Sequence, residues 1–269
     1  MPCVVALLAG CTASADEGGG SPGAVAPNSS GGGGFVVRHE PPAGADRGDA
    51  SFLRDRKLLE RSSATLNAFI DPGRRVTVVA RSCEGEGSGY DPESRRIEIC
   101  YDDVARERAL FRHAGHRPAD EEVAAVLVET FFHEAGHAVI DVLDLSFTDR
   151  AEEDAADQFA ALMLLRQGGD GERSLRFAAK EYELTAAEEE ADAESDGADA
   201  DGDDGERDEH SPARLRAANH LCHLHGSAPG RSRDVVGPTL SRSRAAGCGT
   251  EWARVRGAWT ERLAPLLRR

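Results

Sequence analysis

The chain has 269 residues, 40% of them apolar, and a formal net charge of −16, enough for one catalytic-sized domain with its own core. The acidity is local: residues 181–209 hold 15 acidic side chains against one basic, Arg207, which leaves −2 for everything else. A near-neutral folded part without a basic patch excludes nucleic acid as an expected partner.

The apolar start "MPCVVALLAGC" closes on Leu8-Ala9-Gly10-Cys11. It resembles a bacterial lipoprotein signal, in which residues 1–10 are removed and Cys11 is lipidated. The usual basic n-region is missing, and the apolar run is too short to span a bilayer. Residues 11–34 read as a Gly/Ser-rich linker. The expectation is an extracytoplasmic protein tethered to the membrane through Cys11; a cytosolic chain with a disordered N-terminus is the alternative. Residues 35–269 form the globular domain, whose oligomeric state is open. Four cysteines remain for an oxidising compartment. The sequence-local pairing is Cys83–Cys100 and Cys222–Cys248, one of three connectivities. Four reduced buried thiols are the alternative.

Ser51 to Ile70 reads as one helix, with Phe52, Leu58, Leu59, Leu66 and Phe69 near helical spacing, stopped by Asp71-Pro72-Gly73. Arg74–Cys83 is β-branched and reads as a strand. "EGEGSGYDPES" is turn chemistry, and Arg95–Tyr101 reads as the return strand of a hairpin. Pro118-Ala119-Asp120 opens a helix that is apolar almost all round and therefore central. A second helix covers about Ala151 to Arg166 and ends at Gly168-Gly169. Residues 186–208, poor in everything apolar except alanine, read as a disordered insertion. Ser211-Pro212 then supplies an N-cap and first-turn pair for a helix that runs to about His225 and stops at Gly226. A last helix, about Thr250 to Leu263, places Trp252, Val255, Trp259 and Leu263 on one stripe.

The central helix carries His133-Glu134-Ala135-Gly136-His137. Residues i and i+4 share a helix face, so His133 and His137 can offer two imidazoles to one zinc ion, with Glu134 beside them as general base. Ala135 and Gly136 are small enough to let another element approach. Catalytic zinc takes a third protein ligand. Glu153 on the next helix is the candidate, with Glu152 in reserve. Asp157, one turn on, can accept a hydrogen bond from the outer nitrogen of a ligating histidine. The bland alternatives are a core histidine pair and a solvated helix start. His220 and His223 as a second metal pair, and Asp192–Asp203 as an EF-hand-like calcium loop, are weak signals against a half-buried helix and an acidic spacer.

"HEAGH" followed by "ExxAD" resembles the gluzincin clan of zinc metallopeptidases. The blocks "YDPESRRIEICY", "HEAGHAVIDVLDL", "EEDAADQFAALML", "DEHS…LRAANHLC" and "EWARVRGAW" more closely resemble a bacterial metallopeptidase family of unknown function. The acidic insertion departs from that family's pattern, as does Leu215 before Arg216. The resemblance implies a zincin-like α+β domain with a small antiparallel sheet beside the active-site helix. It implies one zinc ion per chain held by His133, His137 and Glu153, and a peptide substrate cleaved by a water that Glu134 deprotonates. His210 matches a histidine that stabilises the tetrahedral intermediate; Arg216 supports the site or forms a buried ion pair. Two other readings stay open: a catalytically silent binding lipoprotein, and a zinc hydrolase of non-peptide amides.

Overall fold

The computed structural model describes residues 33–117, 119–195 and 210–268; Cys3, Cys11 and most of the EF-hand-like stretch lie outside them. Four strands form one mixed sheet in the order β1-β2-β4-β3, with β1 Gly34–His39, β2 Arg75–Arg81, β3 Gly89–Asp91 and β4 Arg96–Cys100. Eight α-helices complete the fold among the described residues: α1 Arg47–Arg56, α2 Leu58–Phe69, α3 Asp102–His113, α4 Asp120–Val142, α5 Asp149–Leu165, α6 Gly169–Ser195, α7 Ala213–Ser227 and α8 Arg242–Leu263.

The expected hairpin between β2 and β4 is not formed, and the sheet is mixed rather than antiparallel. β2 and β4 run parallel, with Thr77 opposite Arg96 and Arg81 opposite Cys100. β3 supplies the antiparallel partner of β4. The Cys83–Cys100 disulfide shows why. Both cysteines follow or end the C-terminal tips of their strands, and two C-terminal tips meet only in a parallel pair. The connecting loop turns through left-handed Glu84, Gly85 and Gly87.

The single helix expected over Ser51–Ile70 is two helices, broken at Lys57, whose φ of +51° is left-handed. In one continuous helix Leu53 and Leu58 would point about 140° apart at 100° per residue. The break turns both into the core, where Leu53 is 0% and Leu58 8% exposed. Strands β1 and β3 and helices α3 and α6 were not foreseen; β3 lies inside the stretch expected to be turn. α3 is charged along most of its length and shows no continuous apolar stripe. α6 runs through Ala186 to Ser195, so the first ten residues expected in the disordered insertion are helical. Its apolar face ends with buried Leu184 and Ala186, and from Ala187 to Asp192 the helix is exposed.

Helix α4 opens with Glu122 accepting the Ala119 N–H at 2.7 Å, half of a capping box. Its apolar surface is buried on nearly every side, with Phe131, Phe132, Ala135 and Val139 at 0% exposure. Gly136 lets α5 approach: a Cβ there would lie 2.9 Å from Ala156 Cα. Helix α7 begins at Ala213, one residue later than the Ser-Pro signal implies, with Pro212 rather than Ser211 at the N-cap; the Ser211 hydroxyl donates to Asp154 at 2.9 Å. α8 is longer than expected and buries Trp252, Val255, Trp259 and Leu263.

Gly226 is not a helix stop. It lies inside α7, where a Cβ would sit 2.2 Å from the Cys248 carbonyl oxygen and 2.8 Å from Trp252 Cβ. The Cys222–Cys248 disulfide one turn earlier clamps the same crossing. Gly226→Ala is expected to cost about 1–3 kcal/mol through overpacking, about 2–4 °C of Tm per kcal/mol in a domain of this size. A thermal melt identical to wild type would refute so close an approach of α7 and α8.

Candidate metal centre

Glu129, His133 and His137 follow one another at one-turn spacing on α4, and α5 faces them with Glu152, Glu153 and Asp157. The contact made possible by Gly136 brings the two helices together at this level. His133 Nε2 and His137 Nε2 lie 3.3 Å apart. Glu153 spans both, with Oε2 3.1 Å from His133 Nε2 and Oε1 3.4 Å from His137 Nε2. Ligand atoms of these three residues all fall within 4.8 Å of one another.

The outer nitrogens are held from behind. His133 Nδ1 donates to Asp157 Oδ1 at 2.9 Å, and His137 Nδ1 donates to Glu152 Oε1 at 3.0 Å. Arg216 grips Asp157 with two bonds, Nε to Oδ2 at 2.9 Å and Nη2 to Oδ1 at 2.6 Å. Both readings of Arg216 therefore hold in the geometry: it is a buried ion-pair partner and it backs the histidine's own support. Glu152, the reserve ligand, faces the outer nitrogen of His137 rather than the inner cluster.

With protons on the two Nδ1 atoms, both Nε2 atoms present bare lone pairs to Glu153, a tautomer pair assigned from these hydrogen bonds. Neither ring then donates to Glu153, whose Oε2 is approached from the other side by His210 Nε2 at 3.0 Å. Two imidazole nitrogens and a carboxylate, all acceptors, fit a divalent cation of zinc's preference. The electrostatics agree. Burial opposes a charged His133, yet once Nε2 takes a proton in place of a cation its hydrogen bonds to Asp157 and Glu153 push it up to about 10. Burial likewise opposes ionisation of Glu153, and the histidines outweigh it and hold the carboxyl far below its usual range. The cluster stabilises one positive charge.

Glu134 is 7% exposed and lines the clefts on both sides of the cluster. Burial raises its pKa, against the lowering effect of His133 and His137. His210, just before α7, reaches Glu153 Oε2 with Nε2 at 3.0 Å and stacks on His133 at 6.3 Å between ring centroids. The two clefts, of about 530 and 570 Å³, share Ser88, His133, Glu134 and His210. They read as one groove crossing the cluster. Among the described residues strand β3 pairs only with β4, and it edges the second cleft with Gly89 and Tyr90.

His220 and His223 do not form a second pair. His220 bonds Glu129 Oε1 at 2.9 Å and the Arg216 carbonyl at 3.1 Å. His223 is buried elsewhere, which pushes it down to about 4. Glu129, Asp157 and His220 do cluster, but Arg216 already supplies the positive charge there. Glu129 escaped the sequence reading although its i−4 spacing from His133 was a usable signal. Glu107 and Glu181 line the first cleft from α3 and α6, and no pattern along the chain marks them.

Two expected results follow from these contacts. Asp157→Asn leaves one neutral oxygen for which His133 and Arg216 compete, and should weaken metal affinity by about 10–100-fold, read by competition with a chromophoric chelator; unchanged affinity would show that the Asp157 carboxylate serves Arg216 alone. Burial, with help from Asp103 and Glu129, raises Glu107 to about 7. Its folded pKa thus exceeds the unfolded one, so the stabilisation is complete below about pH 4 and is lost as pH rises through about 7. Glu107→Gln should therefore melt progressively higher than wild type as pH rises from 5 to 8. Parallel Tm curves over that range would contradict the shift.

Comparison with curated proteins and with solved structures gives no match. Residues 39–263 match the family model described as "Putative metallopeptidase", a span that includes the whole cluster, both disulfides and every helix of the fold. The chain belongs to this metallopeptidase family.

Proposed function

We propose that the protein is a zinc-dependent peptidase of the gluzincin type, built on a zincin-like domain. One observation carries the reading: three acceptor groups from two helices converge within 4.8 Å, with a buried glutamate beside them at the middle of a groove. His133, His137 and Glu153 would hold the ion, which when bound supplies Lewis acidity toward a carbonyl and toward water. Glu134 accepts the proton of the attacking water and returns it to the leaving amine. Asp157 and Glu152 keep the two rings turned so that the Nε2 lone pairs face inward. His210, at the groove surface, donates toward the developing oxyanion. The edge of β3, unpaired among the described residues, offers backbone groups to an extended peptide.

The test is metal analysis of purified protein beside digestion of a diverse peptide library. About one zinc per chain and cleavage abolished by a chelator and restored by zinc support the reading. Full zinc loading without cleavage of any peptide or amide would replace it with a binding protein. We also propose that Cys11 carries a lipid anchor; an unmodified Cys11 in the mass spectrum of the membrane-extracted protein would refute this.

A further inference from the structure

The cleft on the α3 and α6 side of His133 is lined by five carboxylates that the proposed chemistry does not use: Asp103 and Glu188, and Glu107, Glu129 and Glu181. Its two arginines are already engaged. Arg216 forks onto Asp157 and lies 4.2 Å over the Tyr182 ring. Arg106 reaches Asp103 at 3.0 Å and Glu107 Oε1 at 3.3 Å. Glu129 receives His220 and Glu181 receives the Thr185 hydroxyl at 2.9 Å. Glu107 Oε2 receives nothing: it is buried without a hydrogen-bond partner among the described residues, on a residue only 4% exposed. A buried carboxylate oxygen without a donor is costly. Burial pushes Glu107 to about 7, with repulsion from Asp103 and Glu129, and Glu181 to about 8, with repulsion from Glu107, so a cation bound here would displace protons.

The occupant is larger than a metal ion. Among the described residues, Glu107, Glu129 and Glu181 do not gather ligand atoms within 4.8 Å of one another as His133, His137 and Glu153 do. The cleft holds about 530 Å³, and Leu110, Val126 and Thr130 add wall that suits a methylene chain. It opens on His133 and Glu134. We propose that this cleft is a specificity pocket for a lysine or arginine side chain of the substrate, adjacent to the bond attacked by the water that Glu134 deprotonates. The peptide nature of that substrate rests on the function proposed above; the affinity for an organic cation does not.

Two measurements separate the claims. In a peptide-library digest by the zinc-loaded protein, cleavage sites should share Lys or Arg at one fixed position. Glu107→Gln and Glu181→Gln should each lower the preference for Arg over Met at that position by about ten- to a hundredfold, as expected for loss of a charged hydrogen-bond partner. In calorimetric titration, arginine amide should bind wild type and bind Glu107→Gln at least about tenfold more weakly, with the Tm of each variant recorded to exclude misfolding. Cleavage without a basic preference, together with no arginine amide binding, overturns the pocket and leaves the peptidase intact. Arginine amide binding that depends on Glu107, without cleavage of any peptide, keeps the pocket and overturns the peptidase. Stoichiometric calcium binding lost in Glu107→Gln, with no arginine amide binding, overturns the pocket in favour of a metal site.

Discussion

Glu134→Gln should lower peptide turnover by roughly 10²–10⁴-fold, the usual worth of a positioned general base, while zinc content and Tm stay at wild-type values. The reason lies in what the substitution keeps and removes. Glutamine has nearly the shape of glutamate and can hydrogen-bond water, but it accepts no proton at neutral pH. Glu134 lies on the same helix as His133 and His137 but takes no part in the converging cluster, so the ligand set survives. It is buried, and burial raises its pKa, which moves a carboxylate toward the basicity that proton transfer at neutral pH favours. Stability should hold because the variant replaces a buried charge by an isosteric amide. The assay compares metal content, melting and cleavage side by side. Equal cleavage by the two forms would remove Glu134 as the base.

His133→Ala and His137→Ala should each reduce bound zinc to near zero, and Glu153→Ala should weaken it strongly, since a catalytic site has three protein ligands and none to spare. The fold should persist in His133→Ala because Asp157 keeps both bonds from Arg216 and is left with no unpaired charge. Glu152→Ala is the internal control. Glu152 supports the outer nitrogen of His137 at 3.0 Å, so its loss should cost only about 10–100-fold in affinity. Should Glu152→Ala abolish zinc binding while Glu153→Ala leaves it intact, the ligand is the neighbouring residue.

The sequence by itself determined the local chemistry and the elements with strong periodicity. An i,i+4 pair of histidines on an apolar run places both rings on one face of one helix whatever the rest of the chain does. The same logic located α5 and put Glu153 and Asp157 one turn apart. Trp252, Val255, Trp259 and Leu263 declared their burial by spacing alone, and the family resemblance was carried by short blocks of residues. Tertiary structure decided the rest. Whether β4 returns antiparallel to β2 or runs parallel depends on how the strands pair across the sheet, which period-2 alternation does not encode. α3 stayed invisible because its buried Asp103 and Glu107 interrupt any apolar stripe, and those carboxylates are buried only because α6 and α4 line the same cleft. Gly226 looked like a helix stop because glycine commonly is one; only the closeness of α8 shows that it is a contact surface. Glu152 and Glu153 are adjacent and chemically alike. Which faces the inner nitrogens and which the outer one depends on the rotation and approach of α5 over Gly136, a property of two packed helices and not of either sequence.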